Sequence, residues 1–254
     1  RPELTQPVDL IEEVARLAGY DNIPAVEGVD VRFQALIDDP QAFYSQVRTS
    51  LVPWGFHEHM ANTLTRREFT GLFTEAGAIE MQNPLSTEMA FLRTSLIPGL
   101  VLAVAFNERR QQRSVQLFEI GAVHHLDEAA YNRTREAFML GLITTIGVNS
   151  GAVHWKIQAP KDLYYLKGVV SVLLEALGVP AMIFSPITAR GLISALEVIS
   201  GGNTFGVLGE VNAEVRDLLA LETPVVVAEL DLSRIGQHRQ GAGAAYRDVI
   251  PYPV

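Results

Sequence analysis

Four carboxylates near the start of the chain are the first side chains whose types and spacing could do chemistry. Asp9, Glu12 and Glu13 stand at i, i+3 and i+4, which places them on one face of a helix. Glu3 lies six residues ahead of Asp9, close enough for the entering chain to fold back over them. Like charges gathered this way repel unless a cation neutralises them, and hard carboxylate oxygens suit Mg2+. A plainer account needs no metal: acidic side chains in a first helical turn complement the positive end of the helix dipole. Two histidine pairs carry less. His57 and His59 alternate so as to share a strand face, with no third ligand nearby in sequence. His124 and His125 are adjacent and would point to opposite faces of a strand. No serine sits in a Gly-x-Ser-x-Gly elbow. Neither Gly-x-x-x-x-Gly-Lys-Ser/Thr nor a Gly-x-Gly-x-x-Gly following a strand is present.

The carboxylates need a helix to hold them, and residues 9–19 read as one. Asp9 is the expected N-cap, Glu12 completes a capping box, Gly19 ends the helix, and Val8, Ile11, Ala15 and Leu17 supply an apolar stripe. Residues 25–36 read as extended. A second helix is expected over 40–54, with Phe43, Val47 and Leu51 spaced by four and Gly55 breaking it. Strands are expected at 56–63 and 78–82, and a helix over 95–109, entered by Ser95 and Pro98. Strands follow at 115–124 and 138–146, the second so apolar that it should be buried. A helix over 163–177 stops at Gly178. Strand pieces over 182–199, a strand at 205–211, a helix at 214–221 and a strand at 225–232 complete the reading. Gly202-Asn203 is the expected hairpin turn. Successive strands with helices grouped between them imply an α+β fold with a largely antiparallel sheet.

Composition sets the limits. The 254 residues are 48% hydrophobic, enough for one large or two modest domains with a sizeable core. No apolar run approaches the roughly 18 residues of a membrane span, and no signal peptide is readable. The absence of cysteine excludes disulfides and thiolate metal sites and fits a reducing compartment. A net charge of −9 argues against an autonomous nucleic-acid binder. Only three of the 20 basic residues are Lys, and Arg109, Arg110 and Arg113 form one local cluster. Such a cluster suits bidentate contacts to phosphate or carboxylate, with a solvated loop as the plainer reading. The chain opens Arg1-Pro2-Glu3 without a Met and stops at Pro251-Tyr252-Pro253-Val254, which reads as an excised fragment.

Four segments, in order, carry a resemblance. The first is Arg1-Pro2-Glu3-Leu4 running into Asp9-Leu10-Ile11-Glu12-Glu13 and on to Gly19-Tyr20-Asp21-Asn22-Ile23-Pro24. The second is Asn83-Pro84-Leu85, continuing through Phe91-Leu92-Arg93-Thr94-Ser95-Leu96-Ile97-Pro98-Gly99-Leu100. Leu117-Phe118-Glu119-Ile120-Gly121 and Tyr164-Tyr165-Leu166-Lys167-Gly168 follow. Together they resemble the beta subunit of bacterial phenylalanine–tRNA ligases, over nearly the whole chain. The resemblance implies a class II aminoacyl-tRNA synthetase-like core over 38–240, an antiparallel sheet flanked by helices. Residues 1–24 would then be the closing helix of a truncated preceding domain, 25–37 an extended lead-in, and 241–254 the start of a linker to a missing C-terminal domain.

The resemblance also implies a role without catalysis. Class II chemistry needs positive charge on the ATP phosphates. In active members an Arg stands two residues before the Glu of the second signature strand; here Leu117 holds that place before Glu119. The third signature is a glycine-rich strand entering an Arg-bearing helix. Its nearest match is Phe205–Val211, with Arg216 expected beyond a loop. No catalytic residue is therefore assigned. The family implies pairing with a catalytic alpha subunit in an (αβ)2 heterotetramer, in the cytoplasm, supporting ATP-dependent attachment of phenylalanine to tRNA(Phe), with no membrane or DNA partner. It implies that Glu3, Asp9, Glu12 and Glu13 bind a Mg2+ shared with the alpha subunit, Glu3 standing where the family commonly has Asp. The helix at 40–54 and the Ser95–Asn107 helix are the expected interface elements. Thr188-Ala189-Arg190-Gly191 and Val211-Asn212-Ala213 depart from the family pattern at two loops. The alternative is a stand-alone class II ligase paralogue with its own amino-acid and ATP pocket, which ATP–pyrophosphate exchange would reveal.

Overall fold

A computed structural model describes residues 6–25, 28, 40–147 and 161–239, and divides the chain into two compact units, 1–39 and 40–254. The expected extended segment at 25–36 falls almost wholly outside the described residues, and Glu3 and the expected linker at 241–254 wholly so.

The first unit contributes α1 (Pro7–Ala18) and a short 3-10 turn at Tyr20–Asn22. The helix begins earlier than expected. Gln6, not Asp9, is the N-cap, and Pro7 opens the helix at a position where its missing N–H leaves nothing unpaired. Asp9 sits at the third helical position and accepts from the Gln6 N–H at 2.8 Å, closing a capping box. Gly19, at φ 84, ends the helix. The apolar stripe exists but faces solvent: Val8, Ile11, Val14 and Leu17 are all exposed.

The second unit is built on a seven-stranded sheet. In chain order the elements are α2 (Pro40–Leu51), β1 (His57–Glu58), β2 (Leu64–Thr65), α3 (Arg67–Thr70), β3 (Phe91–Leu92) and α4 (Ile97–Glu108). Then come β4 (Gln116–Leu126), β5 (Thr134–Thr145), α5 (Leu163–Ala176), β6 (Ile183–Pro186) and β7 (Leu192–Ser200). β8 (Asn203–Val211), α6 (Ala213–Leu218), β9 (Val225–Asp231) and α7 (Leu232–His238) complete the unit. The order across the sheet is β1-β4-β5-β9-β8-β7-β6, antiparallel throughout except for the two-residue β1, which runs parallel to β4. This is the expected α+β, antiparallel, helix-flanked architecture. The expected strand at 56–63 shrinks to β1, and 78–82 contributes only a bridge from Glu80 to Phe91. The β7–β8 hairpin turns on Gly201 and Gly202 rather than on Gly202 and Asn203. Both glycines have positive φ, as a two-residue turn of this hand demands, while Asn203 already pairs with Ser200.

Strand alternation divides the core between two faces. Phe118, Leu140, Leu142, Val226, Ala228 and Leu230 point to one side and pack against α2, α5 and α7. Ile143, Val225 and Val227 point to the other, beneath α4 and α6. Side-chain caps fix three of the helices. Asp162 accepts from the N–H groups of Tyr164 and Tyr165, Asn212 from that of Val215, and Asp231 from that of Arg234.

Candidate functional site

The α4 face of the sheet carries a row that no local pattern reveals. Glu119 on β4 stands opposite Gly141 on β5, and Gly141 stands opposite Glu229 on β9. All three share a face, so two carboxylates flank a glycine across three adjacent strands. The segment Arg93–Leu96, at the heart of the second resembling segment, lies over this row. Arg93 Nη1 donates to Glu119 Oε1 at 2.5 Å, and its Nε donates to the Ala122 carbonyl at 2.9 Å. Glu119 also accepts from the Ala61 N–H at 3.2 Å. At the other end, Glu229 Oε1 accepts from Ser95 Oγ at 3.0 Å and from the Leu96 N–H at 2.6 Å. Ser95 Oγ in turn accepts from the Ile97 N–H, at the start of α4.

Glycines make this close approach possible. A Cβ at Gly121 would collide with the Arg93 guanidinium. A Cβ at Gly141 would lie 2.8 Å from Leu100 Cδ1 and 3.0 Å from Leu96 Cβ. The space above Gly141, between the two carboxylates, is therefore filled by leucine side chains. Two of the resembling segments are welded here, since Arg93 belongs to one and Glu119 with Gly121 to another. On the other face of the sheet the fourth segment meets the residue just before the third, where Gln116 Nε2 donates to Tyr165 Oη at 2.8 Å.

The electrostatics follow from burial. The Arg93–Glu119 pair is enclosed, with side chains 10% and 2% exposed, and Glu119 Oε2 has no hydrogen-bond partner among the described residues. Glu229 keeps some accessible surface, yet its surroundings are dense. Desolvation pushes its carboxyl up to about 7 against the pull of the Leu96 and Ser95 hydrogen bonds and of Arg93. Beside the row opens a cavity of about 320 Å3, walled by Arg93, Ser95, His59, Asn62, Phe69 and Leu102 among others. Arg93 is the fixed cation of that wall, and its charge is committed to Glu119. The arrangement can position and rigidify α4; it offers a polyphosphate no free positive charge.

The residues that the sequence singles out are scattered, and the structure brings few of them together. Glu3 lies outside the described residues. Asp9 serves the capping box, Glu13 pairs with Arg16 at 2.6 Å, and Glu12 is exposed. Carboxylate oxygens fit a hard cation, but no three His, Asp or Glu side chains gather as a metal site among the described residues. His57 and His59 do not share a site: they line two different cavities. His124 lies 3.6 Å from Glu136, while His125 is held below its ordinary pKa by burial and by Arg135. Leu117 packs into the apolar cluster beneath α4. Arg216 is not separated from β8 by a loop, because α6 starts immediately after Asn212; its guanidinium donates to the Glu222 carbonyl. A second strand-to-helix junction, β9 into α7, has no counterpart in the sequence reading. It carries Arg234, which pairs with Asp231 at 3.2 Å. Of the arginine cluster, Arg110 Cζ stands over the Phe106 ring, 3.4 Å from its centroid.

The model of the phenylalanyl tRNA synthetase beta chain CLM domain matches residues 32–232. Phenylalanine–tRNA ligase beta subunits are among the similar curated proteins. That of Salinibacter ruber is 30% identical over all of this chain and 33% of its own length. That of Vibrio cholerae is 32% identical over 89% of this chain and 29% of its own length. The chain thus spans about a third of the length of the curated relatives it matches. A solved pyrrolysyl-tRNA synthetase from Desulfitobacterium hafniense superposes with a TM-score of 0.61 at 15% identity, covering 95% of this chain and 80% of that one. That likeness is one of fold, the class II synthetase fold.

Proposed function

We infer the role of this chain from its family: it belongs to the phenylalanyl-tRNA synthetase beta chains, whose core-domain model it matches over residues 32–232. It is the non-catalytic core of such a subunit. It pairs with a catalytic alpha subunit in an (αβ)2 assembly and so supports ATP-dependent attachment of phenylalanine to tRNA(Phe) in the cytoplasm. Residues 1–24 close a preceding domain, and 241–254 lead toward a following one.

The observation that carries this reading is the state of α4. Its inner side fills the sheet face with Leu96 and Leu100, and the nearest cation, Arg93, is bound to Glu119. Its outer side is apolar as well: Leu102, which walls the 320 Å3 concavity, is 37% exposed, and Phe106 is 52% exposed. A helix apolar all round belongs inside an assembly rather than at a free surface. Mixing the chain with the alpha subunit of the same genome, under size-exclusion chromatography with light scattering, tests the reading. A stoichiometric complex is expected, lost in Leu102→Ser/Phe106→Ser, which should cost about 1–3 kcal/mol of folding stability for the half-buried surface given up and still melt as a folded chain. A complex that survives both substitutions would move the interface elsewhere.

Mg2+ binding by Glu3, Asp9, Glu12 and Glu13 is part of this proposal. With Asp9 and Glu13 already engaged within α1, a cation there needs ligands from a second chain. Asp9→Ala/Glu13→Ala should abolish any loss of the complex on EDTA treatment. An unchanged EDTA response would remove these residues from the site.

A further inference from the structure

We propose that the cleft between the α4–β4 turn and the start of α5 binds a nucleoside monophosphate, free or as the phosphorylated end of an RNA strand. The cleft has a volume of about 790 Å3 and lies where the turn after α2, the turn after α4, the start of β4 and the entry to α5 meet. That size falls within the roughly 300–1,000 Å3 of small-molecule sites.

Its floor is a built polar device. Gln116 is a buried side chain, 7% exposed, and both ends of its amide are used. Its Oε1 accepts from Lys161 Nζ, and its Nε2 donates to Tyr165 Oη at 2.8 Å. One buried amide therefore holds an ammonium and a phenol side by side. Because Tyr165 accepts from Gln116, its own proton is left to donate into the cleft, and Lys161 keeps two further N–H bonds. Lys161 has no carboxylate partner among the described residues, and burial lowers its pKa. A desolvated ammonium without a counter-ion gains from an arriving anion. Three donors held on one buried amide suit the terminal oxygens of a phosphate monoester.

The cleft also has an aromatic member. Trp54 lines the cleft and is 43% exposed. It ends the 3-10 turn Val52–Trp54, which Gly55 closes at φ 83. A part-exposed indole lining the same cleft as Lys161 and Tyr165 is a stacking platform for a base. Asn107 also lines the cleft, and its Nδ2 donates to the Ala103 carbonyl at 2.8 Å. Arg109, Arg110 and Arg113 belong to the turn that supplies Gln112 and Ser114 to the wall.

The test titrates the full 254-residue chain with AMP by calorimetry, and in competition with inorganic phosphate, a short 5′-phosphorylated RNA and the same RNA without the phosphate. Saturable AMP binding is expected. Lys161→Met should weaken it by at least about tenfold, Lys161→Arg by less than about threefold, and Trp54→Ala by about fivefold or more. Thermal melting that leaves Lys161→Met as stable as the parent shows that the loss is not one of folding. Phosphorylated RNA competing better than AMP would identify a strand end as the ligand; equal competition would identify the free nucleotide. Absence of saturable binding by both AMP and phosphorylated RNA, indifference to Lys161→Met, or inorganic phosphate binding as tightly as AMP would overturn the assignment.

Discussion

Replacing Glu229 by Gln should change how stability depends on pH, and by a calculable amount. The Glu229 carboxyl titrates near 7 in the folded chain, against an ordinary 4.5. Below about 4.5 it is protonated in both the folded and unfolded states, and pH has no hold on it. Between 4.5 and about 7 the folded chain keeps a proton that the unfolded chain has lost, so stability falls as pH rises. Above about 7 the full cost is present, on the order of 3 kcal/mol at about 1.36 kcal/mol per pH unit. Gln keeps an oxygen for the Ser95 hydroxyl and the Leu96 N–H and removes the charge. The variant should match the parent near pH 4.5 and exceed it by about 1–3 kcal/mol at about pH 8. His125, whose pKa burial lowers, works in the opposite sense, because its neutral form is lost first in the unfolded chain as pH falls. Parent minus variant therefore isolates Glu229. Urea unfolding at half-unit intervals from about pH 4.5 to 8.5 is the assay. Parallel curves for the two proteins would refute the reasoning, as would a variant less stable than the parent at the alkaline end.

Three further outcomes are expected. Arg93→Met leaves Glu119 enclosed and uncompensated, costing about 3–5 kcal/mol by chemical denaturation, whereas Arg93→Met/Glu119→Leu should recover most of that loss. Gly141→Ala drives a Cβ against Leu100 and Leu96 and should cost about 1–3 kcal/mol, seen as a lower melting temperature. Asp162→Ala removes the acceptor for two N–H groups at the start of α5 and should cost about 1 kcal/mol, with Asp162→Ser retaining much of the difference.

Much of the scaffold is legible in the sequence because its signals are local. The Phe43, Val47, Leu51 spacing marks the buried side of α2, and the apolar run at 138–146 lies, but for Ile146, within β5, an interior strand of the sheet. Gly55 and Gly178 stop their helices with positive φ, as their positions suggest. The start of α1 is harder to place, because Asp9 is equally plausible as an N-cap and as the third residue of a capping box; Pro7 is the cue that decides. α7 is hidden because Asp231 both ends β9 and caps the helix, leaving no turn residue between them. The candidate site is the least legible part. Arg93, Glu119, Gly141 and Glu229 are separated by 26, 22 and 88 positions, and only strand register brings them into one row. The pattern at Leu117-Phe118-Glu119-Ile120-Gly121 can be recognised, but the reason for its glycine, room for a guanidinium, is a property of the fold.

The outer strands of the sheet restrict how this chain can meet others. β1 offers two residues of backbone, and β6 four, the last of them Pro186, which has no N–H to give. A foreign strand seeking to extend the sheet finds almost nothing to pair with at either margin. Among the described residues, the margins of this sheet offer little main chain to recruit, which favours association through side chains. Such contacts can be selective, because they can be altered one residue at a time while the sheet beneath them stays intact.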